Sequence, residues 1–311
     1  MILSVTLNSA IDRIERVQEW KWGKTFRSLE SCIGMGGKGA DASWVLGELG
    51  IATTATGFAA GLTGKLMISI LQQKGVVTDF VEAEGEKRSN LVLIGSQKQG
   101  QTTITTDTLK VSALHLQCFE EKYLQLLPGA KALVLGGSVP TGVPANIYKS
   151  LITTAKGSVP VVFDSSGIFL KSGLQAKPDL IKPNQEEISA LLGRQIKGRV
   201  AGLQAAREVK ANYGCDVIVT LGREGAVAVS EESAWQIEPM DLEVRNAAGA
   251  GDAVLAGMAY GLSQNWTFEE SLRLAFACAN AVLLTLPTAD CRREDVERLR
   301  EQVIIRRIAK T

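Results

Sequence analysis

The sequence predicts a three-layer αβα sandwich, with a mostly parallel central sheet between helical layers and a small β-sheet lid. Three observations predict it. Short apolar β-rich runs alternate with longer helical patterns along most of the chain, as expected for strands that crossover helices bury on both faces. Two stretches, 13–33 and 88–106, break that rhythm with alternating runs such as NLVLIG and QTTITT, which suit solvent-facing antiparallel strands. No repeat, low-complexity tract or Pro-rich linker divides the chain, so residues 1–311 read as one domain carrying an inserted lid.

Taken in order, the run 3–7 is a first strand and not a secretion signal, since neither a basic leader nor a long apolar core precedes Asp12 and Arg13. Helix 38–49, strand 53–58 and helix 65–73 follow. Beyond the second lid stretch, strands are expected at 132–135, 159–163, 179–182, 217–221 and 226–229, with helices at 145–155, 185–192 and 203–212. Three helical patterns close the chain, at 251–262, 269–284 and 293–308. The apolar run 274–289 is too short for a bilayer and meets Pro287, so it reads as a buried core helix.

Composition narrows the function. With 45% hydrophobic residues, 22% charged residues and a formal charge of +1, the chain is ordinary globular protein, with no field to recruit nucleic acid or a membrane surface. Cys32, Cys118, Cys215, Cys278 and Cys291 form no CxxC pair and have no histidine nearby; that argues against zinc or a disulfide framework and suits a reducing cytoplasm. His115 is the single histidine, sits on an amphipathic helical pattern, and leaves no Ser-His-Asp chemistry.

The sharpest motif is Asn246-Ala247-Ala248-Gly249-Ala250-Gly251-Asp252, directly before a helical pattern. Such glycines let backbone N–H groups converge on an anion at a helix N-terminus. Asp252 in the first turn then lies beside that anion hole, where a carboxylate can take a proton from an acceptor hydroxyl during phosphoryl transfer. The same residues also suit a plain capped helix after a glycine turn. Gly34-Met35-Gly36-Gly37-Lys38-Gly39 matches GxGxxG, but a dinucleotide site needs an acidic residue after the next strand and the chain offers Ala59-Ala60-Gly61. Lys38 and its glycine amides suit a phosphate or a sugar better. AAGLTGKL lacks the first glycine of a Walker loop and the hydroxyl residue after Lys65, so it reads as a turn and helix start.

Lys182-Pro183-Asn184-Gln185-Glu186-Glu187 leaves a predicted strand and opens a helix. Asn184 and Glu187, three apart, share one face at its N-terminus, placed to meet phosphate and Mg²⁺ directly or through water; a structural cap explains them equally well. Thr220, Gly222 and Gly225 form a tight connection at the sheet edge where open α/β sheets bind ligands. Arg88, entering the second lid stretch, is suited to clamping a phosphate.

Together these runs resemble the PfkB family of ribokinase-like carbohydrate kinases over essentially the whole chain. TLNSAID, GGKG, KRSN, GGSVPTGVP, FDSSG, LIKPNQEE, VTLGREGA and GAGDAVLAG carry the resemblance, and the TLN opening and KPN element bring it nearest to the branch acting on phosphorylated ketohexoses. The resemblance implies ATP and Mg²⁺ as cofactors and a sugar phosphate as substrate; separately, the alternation in both lid stretches predicts a homodimer paired through the lid. It implies sugar-phosphate contacts from Asp12, Gly36, Gly37, Lys38, Asp41, Arg88 and Asn90, and nucleotide contacts from Lys182, Asn184, Thr220, Gly222, Gly225 and Asn280. Glu187 would serve Mg²⁺, Gly249, Ala250 and Gly251 the anion hole, and Asp252 the base.

The chain departs from the family pattern at Asp41, where Asn is usual, at Ser9 in place of Pro, at Ala247 in place of Ser or Thr, and at Gly136 in place of Ser. These departures keep two alternatives open: a kinase of an unphosphorylated sugar or nucleoside, and a catalytically silent sugar-phosphate or nucleotide sensor.

Overall fold

The computed structural model describes residues 1–95, 100–231 and 233–308. The chain begins with β1 (Ile2–Thr6), β2 (Ala10–Arg16), β3 (Glu30–Gly36), α1 (Lys38–Glu48), β4 (Thr53–Ala59) and α2 (Gly61–Gln73). Short strands β5 (Val77–Thr78), β6 (Val81–Glu82) and β7 (Glu84–Gly85) lead to β8 (Arg88–Ile94), β9 (Gln101–Ile104), β10 (Leu109–Lys110) and α3 (Ala113–Leu126). Next come β11 (Ala132–Gly136), α4 (Ile147–Ala155), β12 (Val161–Asp164), α5 (Gly167–Leu174), β13 (Leu180–Ile181), α6 (Gln185–Leu192) and α7 (Gly198–Tyr213). The chain ends with β14 (Asp216–Thr220), β15 (Ala226–Val229), β16 (Ala234–Ile237), α8 (Ala250–Ser263), α9 (Phe268–Leu283), α10 (Arg293–Arg300) and β17 (Ile305–Ile308).

The large sheet runs β17-β16-β15-β14-β13-β12-β11-β1-β4-β5, with β6 also on β4. Strands from β14 to β5 pair in parallel, and β15, β16 and β17 add antiparallel. Alternate side chains along the central strands enter different layers, as a period-2 strand dictates. Leu3, Val5, Leu133 and Leu135 pack with Phe119, Tyr123, Tyr148, Ile188 and Val209 on one face. Ile2, Ala132 and Val134 pack with α8 and α9 side chains such as Val254, Met258, Leu272 and Phe276 on the other. Each such Val, Leu or Ile contributes about 1.5–3 kcal/mol when fully buried, which is why the unbroken apolar runs sit at the sheet centre. The predicted sandwich is the observed one.

A second sheet, β3-β2-β8-β9, is built from the two stretches that break the βα rhythm. Its first two strands start at Ala10 and Glu30 and leave the chain between them without regular structure, so the first lid stretch begins earlier than residue 13. Residues 96–99 of the second stretch lie outside the described residues. Trp22, Leu29, Ile33 and Ile104 are exposed there, and the rings of Trp20 and Trp22 meet edge-on with centroids 5.1 Å apart.

Two expectations are corrected. The helix predicted over 293–308 stops at Arg300, and Ile305–Ile308 adds to β16 instead. Its sequence IRRI keeps both arginines exposed and the isoleucines half-buried, a strand-compatible placement that also extends the apolar face of the sheet. The helix predicted from residue 65 begins at Gly61, because the Glu86 carboxylate accepts from the N–H groups of Thr63 (2.6 Å) and Leu62 (3.3 Å) and caps that end from another segment. The helical pattern around His115 is α3, whereas α5 was not among the expected helices, nor β16 among the expected strands. No helix among the described residues is long and apolar enough to cross a membrane.

Candidate functional site

The parallel strands end on a common edge, and their C-terminal residues collect there. Asp164 closes β12, Lys182 follows β13, Thr220 closes β14, and Asn8 follows β1. Lys38, first residue of α1, donates from Nζ to Asp164 Oδ1 at 2.6 Å and to Glu187 Oε1 at 3.0 Å. Lys182 Nζ lies 2.9 Å from Asp164 Oδ2. The buried Asp164 carboxylate therefore spans two ammonium groups. Burial works against the charge on Lys38, yet Asp164, Glu187 and Asp252 together hold its proton more firmly than usual.

α8 begins beside these groups. Gly249 caps it at φ 81°, a left-handed conformation that favours glycine, and a Cβ there would collide with the backbone of Ala289. Asp252 N–H donates back to Gly249 O at 3.0 Å, and Ala250 N–H donates to Ala247 O at 3.4 Å. Gly251 faces Lys182: a Cβ there would lie 3.3 Å from its Nζ. The half-buried Asp252 carboxyl is pushed above its ordinary value by burial; Lys38 and Lys182 pull it back, Asp164 raises it, and a hydrogen bond with Asp41 lowers it.

On the other side of Asp252 lie the residues predicted to meet the acceptor. Asp41, in the first turn of α1, is 2% exposed with Oδ1 unpaired. Burial and then the charges of Asp252 and Asp12 push it well above its ordinary value. Asp12 on β2 accepts from Asn90 Nδ2 at 2.8 Å and from Thr288 Oγ1 at 2.9 Å, and burial raises it too. Gly36 allows this approach: a Cβ there would lie within 2.5 Å of Asp12 Oδ1. Arg88 Nη2 donates to Asn8 O at 2.6 Å while its Nε is unpaired. Gly37 caps α1 just before Lys38.

Asn8 Oδ1, Asp41 Oδ1, Lys87 Nζ, Arg88 Nε and Asn90 Oδ1 are buried without a hydrogen-bond partner. Each such atom costs about 1–3 kcal/mol, and those of Asn8, Asp41, Arg88 and Asn90, three acceptors and one donor gathered about Asp12, match a polyhydroxylated, anionic ligand.

The remaining predicted residues divide. Asn184 Oδ1 accepts from the N–H groups of Glu186 and Glu187 at 2.9 and 2.8 Å, and Glu187 Oε2 accepts from Asn184 N–H at 2.9 Å. This is a complete capping box, so that side chain of Asn184 is occupied, while the other oxygen of Glu187 turns to Lys38. Thr220 bridges to Asn184, and Gly222 and Gly225 turn β14 into β15. Asn280 is half-buried on α9, the helix packed along α8. Asp164, Asn8 and Lys87 received no role from sequence; the signals were FDSSG at a strand end for the first, the asparagine of TLN itself for the second, and adjacency to Arg88 for the third.

The chain matches the description "pfkB family carbohydrate kinase" over residues 4–295. It is 30% identical to a 1-phosphofructokinase of Vibrio cholerae serotype O1, over 97% of this chain and 95% of that one. It is 28% identical to phosphofructokinase-2 of Escherichia coli, whose structure in complex with substrates and products superposes with a TM-score of 0.89 over 97% of this chain and 99% of that one. A ribokinase of Thermotoga maritima, 20% identical, shares the fold with a TM-score of 0.76 over 96% of this chain and 99% of that one. With its fold, its GAGD turn and a match over almost its full length, the chain belongs to the pfkB family of carbohydrate kinases and is a phosphotransferase.

Proposed function

We propose that this kinase moves the γ-phosphoryl group of ATP to a hydroxyl of a ketohexose phosphate, with Asp252 as general base. The observation that carries the reading is the position of Asp252 between the paired Lys38–Asp164–Lys182 cluster and the unpaired polar atoms of Asn8, Asp41, Arg88 and Asn90. The paired side suits nucleotide phosphates, and Arg88 on the unpaired side suits the phosphate of the acceptor. Asp252 takes the proton of the attacking hydroxyl, and Lys38, Lys182 and the amides around Gly251 offset charge on the transferred group. The chain acts as one kinase unit, with the small sheet as its lid excluding water.

No cluster of three or more potential metal ligands occurs among the described residues. That fits Mg²⁺ in its kinase role, held by one or two carboxylates plus nucleotide phosphates. Glu187 and Asp164 are the carboxylates at hand; the ion supplies neutralisation of phosphate charge when bound. The exposed apolar side chains of the small sheet support a homodimer formed through it, and the five free cysteines suit the cytoplasm. The Escherichia coli relative is described in a tetrameric inhibited form, so sedimentation at several concentrations is the check on assembly.

The test of the reaction is ATP consumption with Mg²⁺ across fructose 1-phosphate, fructose 6-phosphate, tagatose 6-phosphate, free fructose, ribose and a nucleoside. Turnover with a phosphorylated ketose is expected. Turnover confined to an unphosphorylated acceptor would replace the substrate assignment, and silence with retained binding would replace catalysis with sensing.

A further inference from the structure

A short segment after α9, residues 286–289, touches both the small sheet and the turn that opens α8. Toward the sheet, Leu286 packs with Ile14 of β2 and Val92 of β8. Thr288 Oγ1 donates to Asp12 Oδ2 at 2.9 Å. The backbone of Thr288 lies so close to β3 that a Cβ on Gly34 would stand 2.5 Å from its nitrogen, so the first glycine of the GMGGKG run serves this close approach. Toward the turn, Asn246 Nδ2 donates to Leu286 O at 2.8 Å while Asn246 Oδ1 accepts from Ala248 N–H at 2.9 Å. Ala289 N–H donates to Ala248 O at 3.2 Å, and a Cβ on Gly249 would lie 2.6 Å from that of Ala289. Ala289 has φ 56°, a left-handed conformation that is costly for a residue with a Cβ and persists where the surroundings fix it. Just beyond, the Asp290 carboxylate accepts from Trp44 Nε1 at 3.0 Å and Lys74 Nζ at 3.1 Å, which pins the segment to α1 and the end of α2. Asp12 itself is 6% exposed and stands in register with Gly34 on one side and Asn90 on the other. Asn90 Nδ2 takes one of its oxygens and Thr288 the other. Two donors from different elements fix the plane of the carboxylate and leave its remaining lone pairs for an acceptor hydroxyl. Burial raises the ionisation of Asp12, and these two hydrogen bonds oppose that.

We propose that Thr288 is a positioning residue for the reaction: its hydroxyl holds the Asp12 carboxylate toward the acceptor sugar, and the segment that carries it is braced on the Gly249 turn. Acceptor and transferred phosphoryl group are then set from one piece of backbone. The small sheet, tied to the core at this point, brings the acceptor to Asp252 in a fixed relation. The inference rests on Asp12 as a contact of the acceptor, and the experiment separates the two.

Thr288→Val keeps the shape and removes the hydroxyl, whereas Thr288→Ser keeps the hydroxyl. Both are compared with the parent, with Asp12→Asn, and with Asp12→Asn and Thr288→Val combined, using whichever acceptor of the panel above is turned over. Thr288→Val should raise KM for the acceptor about tenfold, lower kcat about threefold and leave KM for ATP within about twofold, because a hydrogen bond to a charged group is lost on the acceptor side alone. Thr288→Ser should return KM for the acceptor to within about threefold of the parent, since its hydroxyl can still donate. In the Asp12→Asn background Thr288→Val should add less than about twofold, because the two residues act as one unit. Thermal melts establish that the losses occur in folded protein, and Thr288→Ala repeats the test with a smaller side chain. Calorimetric titration of the same acceptor gives the comparison without turnover. A parental acceptor KM in Thr288→Val, equal rises for acceptor and ATP, failure of Thr288→Ser to restore binding, or full additivity in the combined variant would each overturn the inference. A parental acceptor KM in Asp12→Asn would instead remove Asp12 from the acceptor site, whatever Thr288→Val does.

Discussion

The two halves of the site are built on opposite terms. On the side proposed for the nucleotide, the charges are paired: Lys38 reaches Asp164 and Glu187, and Lys182 reaches Asp164 again. On the side proposed for the acceptor, three oxygens and the Arg88 Nε nitrogen are buried without partners. Buried ion pairs of good geometry are set before a ligand arrives, and breaking one leaves an uncompensated charge. Unpaired buried groups carry a desolvation cost that a ligand relieves by supplying the missing hydrogen bonds. One half of the site therefore works as scaffold and the other as specificity surface, and mutations should separate them.

The largest effect is expected at the boundary. Asp252→Asn should lower kcat by about 10²–10⁴-fold, with folding stability unchanged or raised; near-parental turnover would dissolve the boundary. On the scaffold side, Asp164→Ala should cost about 3–5 kcal/mol of stability, since it leaves Lys38 and Lys182 without their shared anion. Chemical denaturation measures this, and a loss below about 1 kcal/mol would place the cluster among ordinary surface pairs. On the specificity side, Arg88→Ala should raise KM for the acceptor phosphate about 10–100-fold, the worth of a charged hydrogen bond at about 1.5–3 kcal/mol, and leave KM for ATP nearly unchanged. Equal losses for both substrates would erase the distinction.

The smallest effect sharpens the comparison further. Lys87 is 1% exposed, and burial, followed by the charge of Arg88, pushes its ammonium well below its ordinary value of 10.5. A base with a depressed folded value costs stability at every pH below its unfolded value, and the cost fades as pH rises toward that value. Lys87→Met should therefore raise stability by about 1–2 kcal/mol near neutral pH, and the gain over the parent should shrink toward pH 10. Thermal melts across that range check it, and a destabilised variant would show that Lys87 Nζ has a partner worth keeping.

Much of this was legible in the sequence, for reasons that differ by residue. The sandwich follows from buried runs such as Ile2–Thr6 and Ala132–Gly136, because a parallel strand covered on both faces has to be apolar throughout. The glycine turn that opens α8 and places Asp252 in its first turn was legible because its glycines and its helix are adjacent in the chain. Asp164 was not: its partner Lys38 lies 126 positions away, and only the fold brings a strand end against a helix start. Asn184 and Glu187 show the converse, since a local capping box and a ligand contact use the same residue types at the same spacing. The strand at Ile305–Ile308 was hidden because its two arginines continue the polar spacing of the helix before it, and the partner that makes it a strand is β16.

The indoles of Trp20 and Trp22, packed edge-on in the segment between β2 and β3, have an optical consequence. Trp22 is 87% exposed, whereas Trp44 and Trp235 are buried. An indole in water emits further to the red than one in an apolar setting, so the red edge of the emission spectrum belongs largely to the small sheet. Dilution or ligand addition that changes what covers that sheet will shift this edge, which makes the protein its own unlabelled reporter of assembly.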